Sequence, residues 1–258
     1  MKHFTGDFLL AISRRTELNI INVGGVEQFS LVDFPGKVAA SIFMQGCPWR
    51  CPFCHNASLI FSPVQTYTQE ELLAFLKKRA GILDGVCITG GEPTIHPELP
   101  AFLKTIKDLG YLIKLDTNGS NPSMLSSLIS QELIDYVAMD VKLPLEEYKK
   151  SLGYSGEEKE LSKSLALLKS NIIPYELRTT VVEELHSPEL IHAMGNEVKG
   201  ACKLYLQNFV DSGDIICSKL HPVSEKTLRE YQQILQNYVP ATYIRGELSS
   251  SYSSTLRT

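Results

Sequence analysis

The 258-residue chain lacks any apolar run near the ~18 residues that cross a bilayer. It also lacks a basic excess: 25 Lys and Arg stand against 29 Asp and Glu, a formal charge of −4. The first absence excludes a membrane-spanning helix. The second argues against a nucleic-acid binder that works by neutralising phosphates. No secretory signal stands out. The apolar run Phe8–Ile12 is shorter than the ~7–15 residues of a signal core, and Arg14 and Arg15 follow it rather than precede it. No repeat period, no interior linker and no second Cys-x-x-Cys occurs. A disulfide framework belongs to small secreted chains, so of the six cysteines the crowded Cys47, Cys51 and Cys54 are expected as a metal or iron–sulfur site in a reducing cytoplasm. What remains, with 43% apolar and 21% charged residues, is an ordinary globular composition.

Apolar strand-like runs start near Val38, Gly85, Tyr111, Ile134, Tyr175, Lys203 and Ala241. Helical patterns lie between most of them, near 68–80, 97–109, 121–131, 159–170, 187–199 and 224–237. Thr68-Gln-Glu-Glu71 is a capping box, and Gly110 stops the pattern that ends at Leu109. Strands alternating with helices imply parallel βα units. About six such units, plus an N-terminal β segment near Leu18–Phe29, fall short of the eight of a closed barrel, which typically takes ~250 residues. The expected fold is α/β, an incomplete, open parallel βα barrel spanning 19–246. An N-terminal arm (1–18) and a loose serine-rich tail (247–258) flank it.

In such barrels the chemistry collects at the C-terminal ends of the strands. Each polar motif falls there. Cys47-Pro-Trp-Arg-Cys51-Pro-Phe-Cys54 follows the strand at Val38. Gly90-Gly91-Glu92-Pro93 follows the next. Asp116-Thr117-Asn118-Gly119, Asp140-Val141-Lys142, Glu176 with Arg178, and Gln207 mark the next four. Soft thiolates select iron–sulfur clusters, zinc or copper(I). Three cysteines in a short loop can each hold one iron of a cubane and leave the fourth open. A zinc site would have to recruit His55 beside Cys54 and do without a second ligand pair. The glycines allow close backbone approach, and Glu92 would add negative charge beside a bound cation.

Cys-x-x-x-Cys-x-x-Cys after the first strand, with Phe53 before the last cysteine, resembles the radical S-adenosylmethionine enzymes. Gly90-Gly91-Glu92-Pro93 strengthens the likeness. Ser30-Leu-Val-Asp-Phe-Pro-Gly-Lys37, Leu115-Asp-Thr-Asn-Gly119 and Met139-Asp-Val-Lys142 narrow it to activases of glycyl radical enzymes, over roughly residues 26–246. The resemblance implies that Cys47, Cys51 and Cys54 ligate a [4Fe-4S] cluster. It implies that Gly90, Gly91 and Glu92 hold the methionine end of S-adenosylmethionine. Asp116, Thr117, Asp140 and Lys142 would sit at the cofactor, the two aspartates around a monovalent cation. The implied reaction is reductive cleavage of the cofactor and hydrogen abstraction from a glycine of a partner enzyme. Flavodoxin or ferredoxin is the implied electron donor.

Other residues stay open. Asp116 could be a turn residue, Lys142 could pair with Glu146, and Glu176 and Arg178 could form a structural ion pair. Leu206-Gln-Asn-Phe209 has no histidine where pyruvate formate-lyase activases carry one, and resembles the activases of anaerobic ribonucleoside-triphosphate reductase. The rival expectations are a radical enzyme acting on a small molecule, such as a deazapurine-forming one, and a non-catalytic metal-binding module.

Overall fold

A computed structural model describes residues 21–61 and 67–246. The expected arm and tail, and the start of the N-terminal β segment, lie outside the described residues. Eight strands form one sheet in chain order. β1 (Val23–Ser30) lies antiparallel to β2 (Ala39–Met44). Then β3 (Gly85–Gly90), β4 (Leu112–Thr117), β5 (Tyr136–Asp140), β6 (Tyr175–Val181), β7 (Leu204–Asn208) and β8 (Thr242–Ile244) follow in parallel. Among the described residues no pairing joins β8 to β1, so the barrel is open.

Helices α1 (Ser58–Phe61) and α2 (Gln69–Arg79) link β2 to β3. α3 (Leu99–Asp108), α4 (Pro122–Ser130), α5 (Tyr148–Leu152), α6 (Glu158–Lys169), α7 (Pro188–Val198) and α8 (Glu225–Gln236) make the later crossovers. Their starts follow local chemistry. Thr68 and Glu71 form the expected capping box on α2. Asn121, Ser187 and Ser224 each accept a first-turn backbone N–H. Gly110, with φ at +88°, ends the chain's run past α3. None of the described helices is long and apolar enough to cross a membrane.

Alternation along each strand divides the side chains between two faces. Ile42, Val86, Ile88, Ile113, Leu115, Val137, Met139, Leu177 and Leu206 point outward and join helix residues such as Leu76, Leu103, Leu128, Leu168 and Ile191 in one core. Each fully buried aliphatic side chain contributes about 1.5–3 kcal/mol through area removed from water. The opposite face carries Ser41, Cys87, Lys114, Asp116, Asp140, Glu176 and Arg178, so the barrel interior is polar. That division leaves the charges facing one another rather than the solvent.

Candidate radical active site

The segment after β2 is pinned at several points. Arg50 donates from Nη1 to the carbonyls of Cys47 and Trp49, both at 2.8 Å, and its backbone N–H donates to Leu152 O at 3.0 Å. Cys217 donates its N–H to Pro52 O at 2.9 Å. Trp49, Cys51, Phe53, Tyr148, Tyr154 and Phe209 form an apolar cluster, and Cys47 and Cys54 pack against it. The three thiols line one cavity of about 370 Å³, within the usual span of small-ligand sites.

Burial pushes the Cys47 thiol up to about 11, although the Trp49 backbone N–H pulls the other way. Burial likewise pushes Cys51 to about 12 and raises Cys54. Such thiols ionise only when a positive metal stabilises the thiolate. Among the described residues, the one His, Cys, Asp or Glu group with ligand atoms all within 4.8 Å of one another is exposed Glu183, Glu184 and His221. The three thiols are spread wider around the cavity. That spacing suits a multi-iron cluster and disfavours one zinc ion. His55 is exposed and stacks on Phe209 at 5.6 Å.

The glycine segment lies against the cysteine segment. A Cβ on Gly91 would sit 2.0 Å from Gly46 O, and Gly90, with φ at +105°, would place one 2.5 Å from Met44 N. Only glycine fits this contact. The Gly91 N–H donates to Met44 O, the Glu92 N–H donates to Gly46 O, and Asn56 Nδ2 donates to Gly90 O at 3.0 Å.

Glu92 departs from its expected part. It is fully buried and is not among the residues lining the cavity, whereas Gly90 and Gly91 are. Its carboxylate accepts from Thr94 N at 3.1 Å, Thr94 Oγ1 at 2.5 Å, Thr117 Oγ1 at 2.7 Å and Asn118 N at 2.6 Å. Burial raises its pKa against the pull of those four donors. Glu92 ties the segment after β3 to the segment after β4, with its carboxylate turned to these donors rather than lining the cavity.

The inner ends of β4, β5 and β6 carry a charge network. Arg178 donates from Nε to Asp140 Oδ1 at 2.9 Å and from Nη1 to Asp116 Oδ2 at 3.0 Å. Lys114, only 1% exposed, pairs with Asp116. Lys142 Nζ lies 3.0 Å from Asp140 Oδ2. Burial is the largest single effect and would raise both aspartates, but Arg178 and the lysines together outweigh it. With Lys114 at Asp116 and Lys142 at Asp140, the cations hold both carboxyls below the usual range. Three side chains thus offset the charge of the two carboxylates expected around a monovalent cation. Asp116 is no free turn residue. Lys142 pairs with Asp140 rather than Glu146, and Asp140 raises its pKa against the opposing effect of burial. Glu176 and Arg178 do not pair with each other. Glu176 accepts from Arg245 Nη2 at 2.7 Å and Tyr136 Oη at 3.1 Å.

Asp33, Thr89, Asp116, Thr117, Asn118, Asp140, Lys142, Arg178 and Gln207 line the same cavity as the thiols. Every expected site residue except Glu92 therefore faces one space. Sequence reasoning missed Lys114 and the bridging part of Arg178, although an unbroken in–out alternation in β4 points Lys114 inward. It also missed Asn118, whose Nδ2 lies 3.8 Å from Cys47 Sγ, and Asn56. Buried His186 accepts from Val182 N at 3.1 Å, and its Nε2 meets Lys142 O at 3.0 Å. His96 Nε2 meets Gln45 O at 2.8 Å. Both histidines fix backbone rather than face the cavity.

Residues 41–186, which hold the cysteines, the glycines and all three charged strand ends, match the profile of the Radical SAM superfamily. The chain belongs to the radical SAM superfamily. With the family come a [4Fe-4S] cluster and S-adenosylmethionine, and the three buried or half-buried thiols around one cavity fit that donor set. A relative from Methanocaldococcus jannaschii carries the provisional name glycyl-radical enzyme activating enzyme. It is 35% identical over 234 residues, 86% of this chain and 95% of the relative. The pyruvate formate-lyase-activating enzyme of Clostridium pasteurianum is 32% identical over 46% of this chain and 52% of its own. Streptococcus suis SuiB, solved bound to precursor peptide SuiA, superposes with a TM-score of 0.61 at 15% identity, over 78% of this chain and 47% of that one. That likeness supports the radical SAM fold.

Proposed function

We propose that this chain activates a glycyl radical enzyme, and that its partner is an anaerobic ribonucleoside-triphosphate reductase. The observation that carries the reading is the set of three thiols, Cys51 buried and Cys47 and Cys54 half-buried, around a polar cavity inside a sheet left open between β8 and β1 among the described residues. An open side suits a substrate glycine carried on another protein's loop. The M. jannaschii relative, aligned over nearly the whole chain, supports an activase. The Leu206-Gln-Asn-Phe209 segment supports the reductase as partner.

A bound cluster would supply one-electron reduction of S-adenosylmethionine, the chemistry on which hydrogen abstraction from a glycine would draw. The chain does the rest. Cys47, Cys51 and Cys54 act as thiolate ligands. Phe53, Trp49 and Phe209 exclude water around them. The backbone at Gly90 and Gly91 cradles the methionine end, and Glu92 keeps that backbone in place. The Lys142 ammonium offers charge to a carboxylate. Arg178 holds Asp116 and Asp140 in fixed orientations beside Thr117. The reading places the protein in an anaerobic cytoplasm with flavodoxin or ferredoxin as electron donor.

The test is anaerobic reconstitution with iron and sulfide, reduction, addition of S-adenosylmethionine and assay of 5′-deoxyadenosine, with Cys54→Ala as control. Product from the native chain alone, plus a glycyl radical signal when the reductase is added, is expected. Turnover of a small molecule without any protein partner would sink the activase reading.

A further inference from the structure

Trp49 is the chain's single tryptophan. It lies between the first two cysteines, is 1% exposed, and lines the thiol cavity. Its ring is clamped by Tyr148 at 5.3 Å and Tyr154 at 5.1 Å, both edge-on. Its indole Nε1 is the one buried side-chain nitrogen or oxygen among the described residues without a hydrogen-bond partner. Leaving such a donor unmet costs about 1–3 kcal/mol, and phenylalanine would fill much of the same apolar volume without that cost. A retained orphan donor of this kind calls for a partner supplied from outside the chain.

The surroundings narrow the partner. Donors reach two of the three cysteine sulfurs: the Trp49 backbone N–H and Asn118 Nδ2 serve Cys47, and the Asn56 backbone N–H serves Cys54. The Cys51 side sits in the apolar cluster with Trp49 itself. The acceptors that a bound cluster brings into this space are sulfurs, both inorganic sulfide and thiolate. Hydrogen bonds to those sulfurs help set a cluster's reduction potential.

We infer that the Trp49 indole N–H donates to a sulfur of the bound cluster and eases its reduction. This rests on the radical SAM reading of the thiols. Trp49 acts here as a positioning residue that tunes the electron acceptor, and touches no substrate.

The experiment uses the full chain reconstituted anaerobically. Because there is one tryptophan, growth on 15N-indole labels this site alone. Pulsed EPR of the reduced, labelled protein is expected to show a 15N coupling to the cluster. In Trp49→Phe, the ratio of reduced to oxidised cluster at a fixed potential is expected to fall about three- to tenfold, which is about 28 to 59 mV for a one-electron couple. The native labelled chain keeps the test alive if the variant folds poorly. A cluster that assembles in both proteins with no 15N coupling and an unchanged ratio overturns the inference. A native chain that assembles no cluster overturns the proposed function instead, and Trp49 with it.

Discussion

Arg178 Nη1 lies 3.0 Å from Asp116 Oδ2, a bond that crosses over β5 to join strands that are not neighbours. The register explains how it can. Arg178 stands opposite Asp140, and Asp116 stands opposite Ala138. Ala138, the β5 residue opposite Asp116, carries only a methyl group, and the guanidinium forks onto both carboxylates.

Removing that fork leaves two largely buried carboxylates with one lysine each. Arg178→Gln is expected to cost about 3 kcal/mol in urea unfolding, near the lower end for breaking a buried pair. The pH dependence has a definite sign. Both carboxyls are held low, so their contribution is fully present above the ordinary carboxylate value of about 3.9 and is lost as pH falls below it. The variant should begin acid unfolding at higher pH than the native chain. Coincident acid transitions would contradict the bridge.

Ala138→Leu tests the crossing itself. The larger side chain fills the path of Arg178 and is expected to destabilise by about 1–3 kcal/mol. It should also weaken S-adenosylmethionine binding, measured by calorimetry on the reconstituted protein, while iron content stays at the native level. A leucine tolerated with native affinity would mean the fork is dispensable.

Glu92→Gln puts an amide where Asn118 N–H and three other donors need an acceptor. The expected loss is about 1–3 kcal/mol in stability. The cofactor dissociation constant should rise at least tenfold because the glycine segment loses its brace. Iron loading should not change, since Glu92 does not line the thiol cavity. Loss of iron in this variant would return Glu92 to the site.

Glu197 offers a switch in the opposite direction. Burial raises its carboxyl to about 7, although the Leu145 N–H at 2.9 Å pulls it down. The protonated form therefore favours the fold. That contribution is complete below the unfolded value of about 4.3 and is lost as pH rises through about 7. Glu197→Gln should remove this loss. The native chain's melting temperature, relative to the variant's, is expected to fall between about pH 5 and about pH 8. A constant difference would refute the shift.

Much of this was legible in the residues. The strand starts near Val38, Gly85, Tyr111, Ile134, Tyr175, Lys203 and Ala241 each fall within two residues of an observed strand, because buried parallel strands are short apolar runs bounded by turn residues. The cysteine spacing and the glycine pair pointed to one chemistry, and both face one cavity. What could not be read was which donor meets which acceptor. Glu92 looks like a ligand-facing charge until Thr94, Thr117 and Asn118 are folded around it. Asp116 and Asp140 look short of positive charge because Lys114 is two residues away along one strand and Arg178 is 38 residues past Asp140. Pairings across strands depend on register, which local pattern does not specify.

The order of the sheet also bears on how the chain is made. Each strand from β2 onward pairs with the one synthesised just before it. A closed barrel must wait for its last strand to find its first. Here every pairing among the described strands is available as soon as the next crossover emerges, and no β8–β1 pairing among them has to form. Loop closures stay short, which favours rapid, sequential assembly from the N-terminal side during translation. The gap between β8 and β1 thus also spares the nascent chain its slowest step.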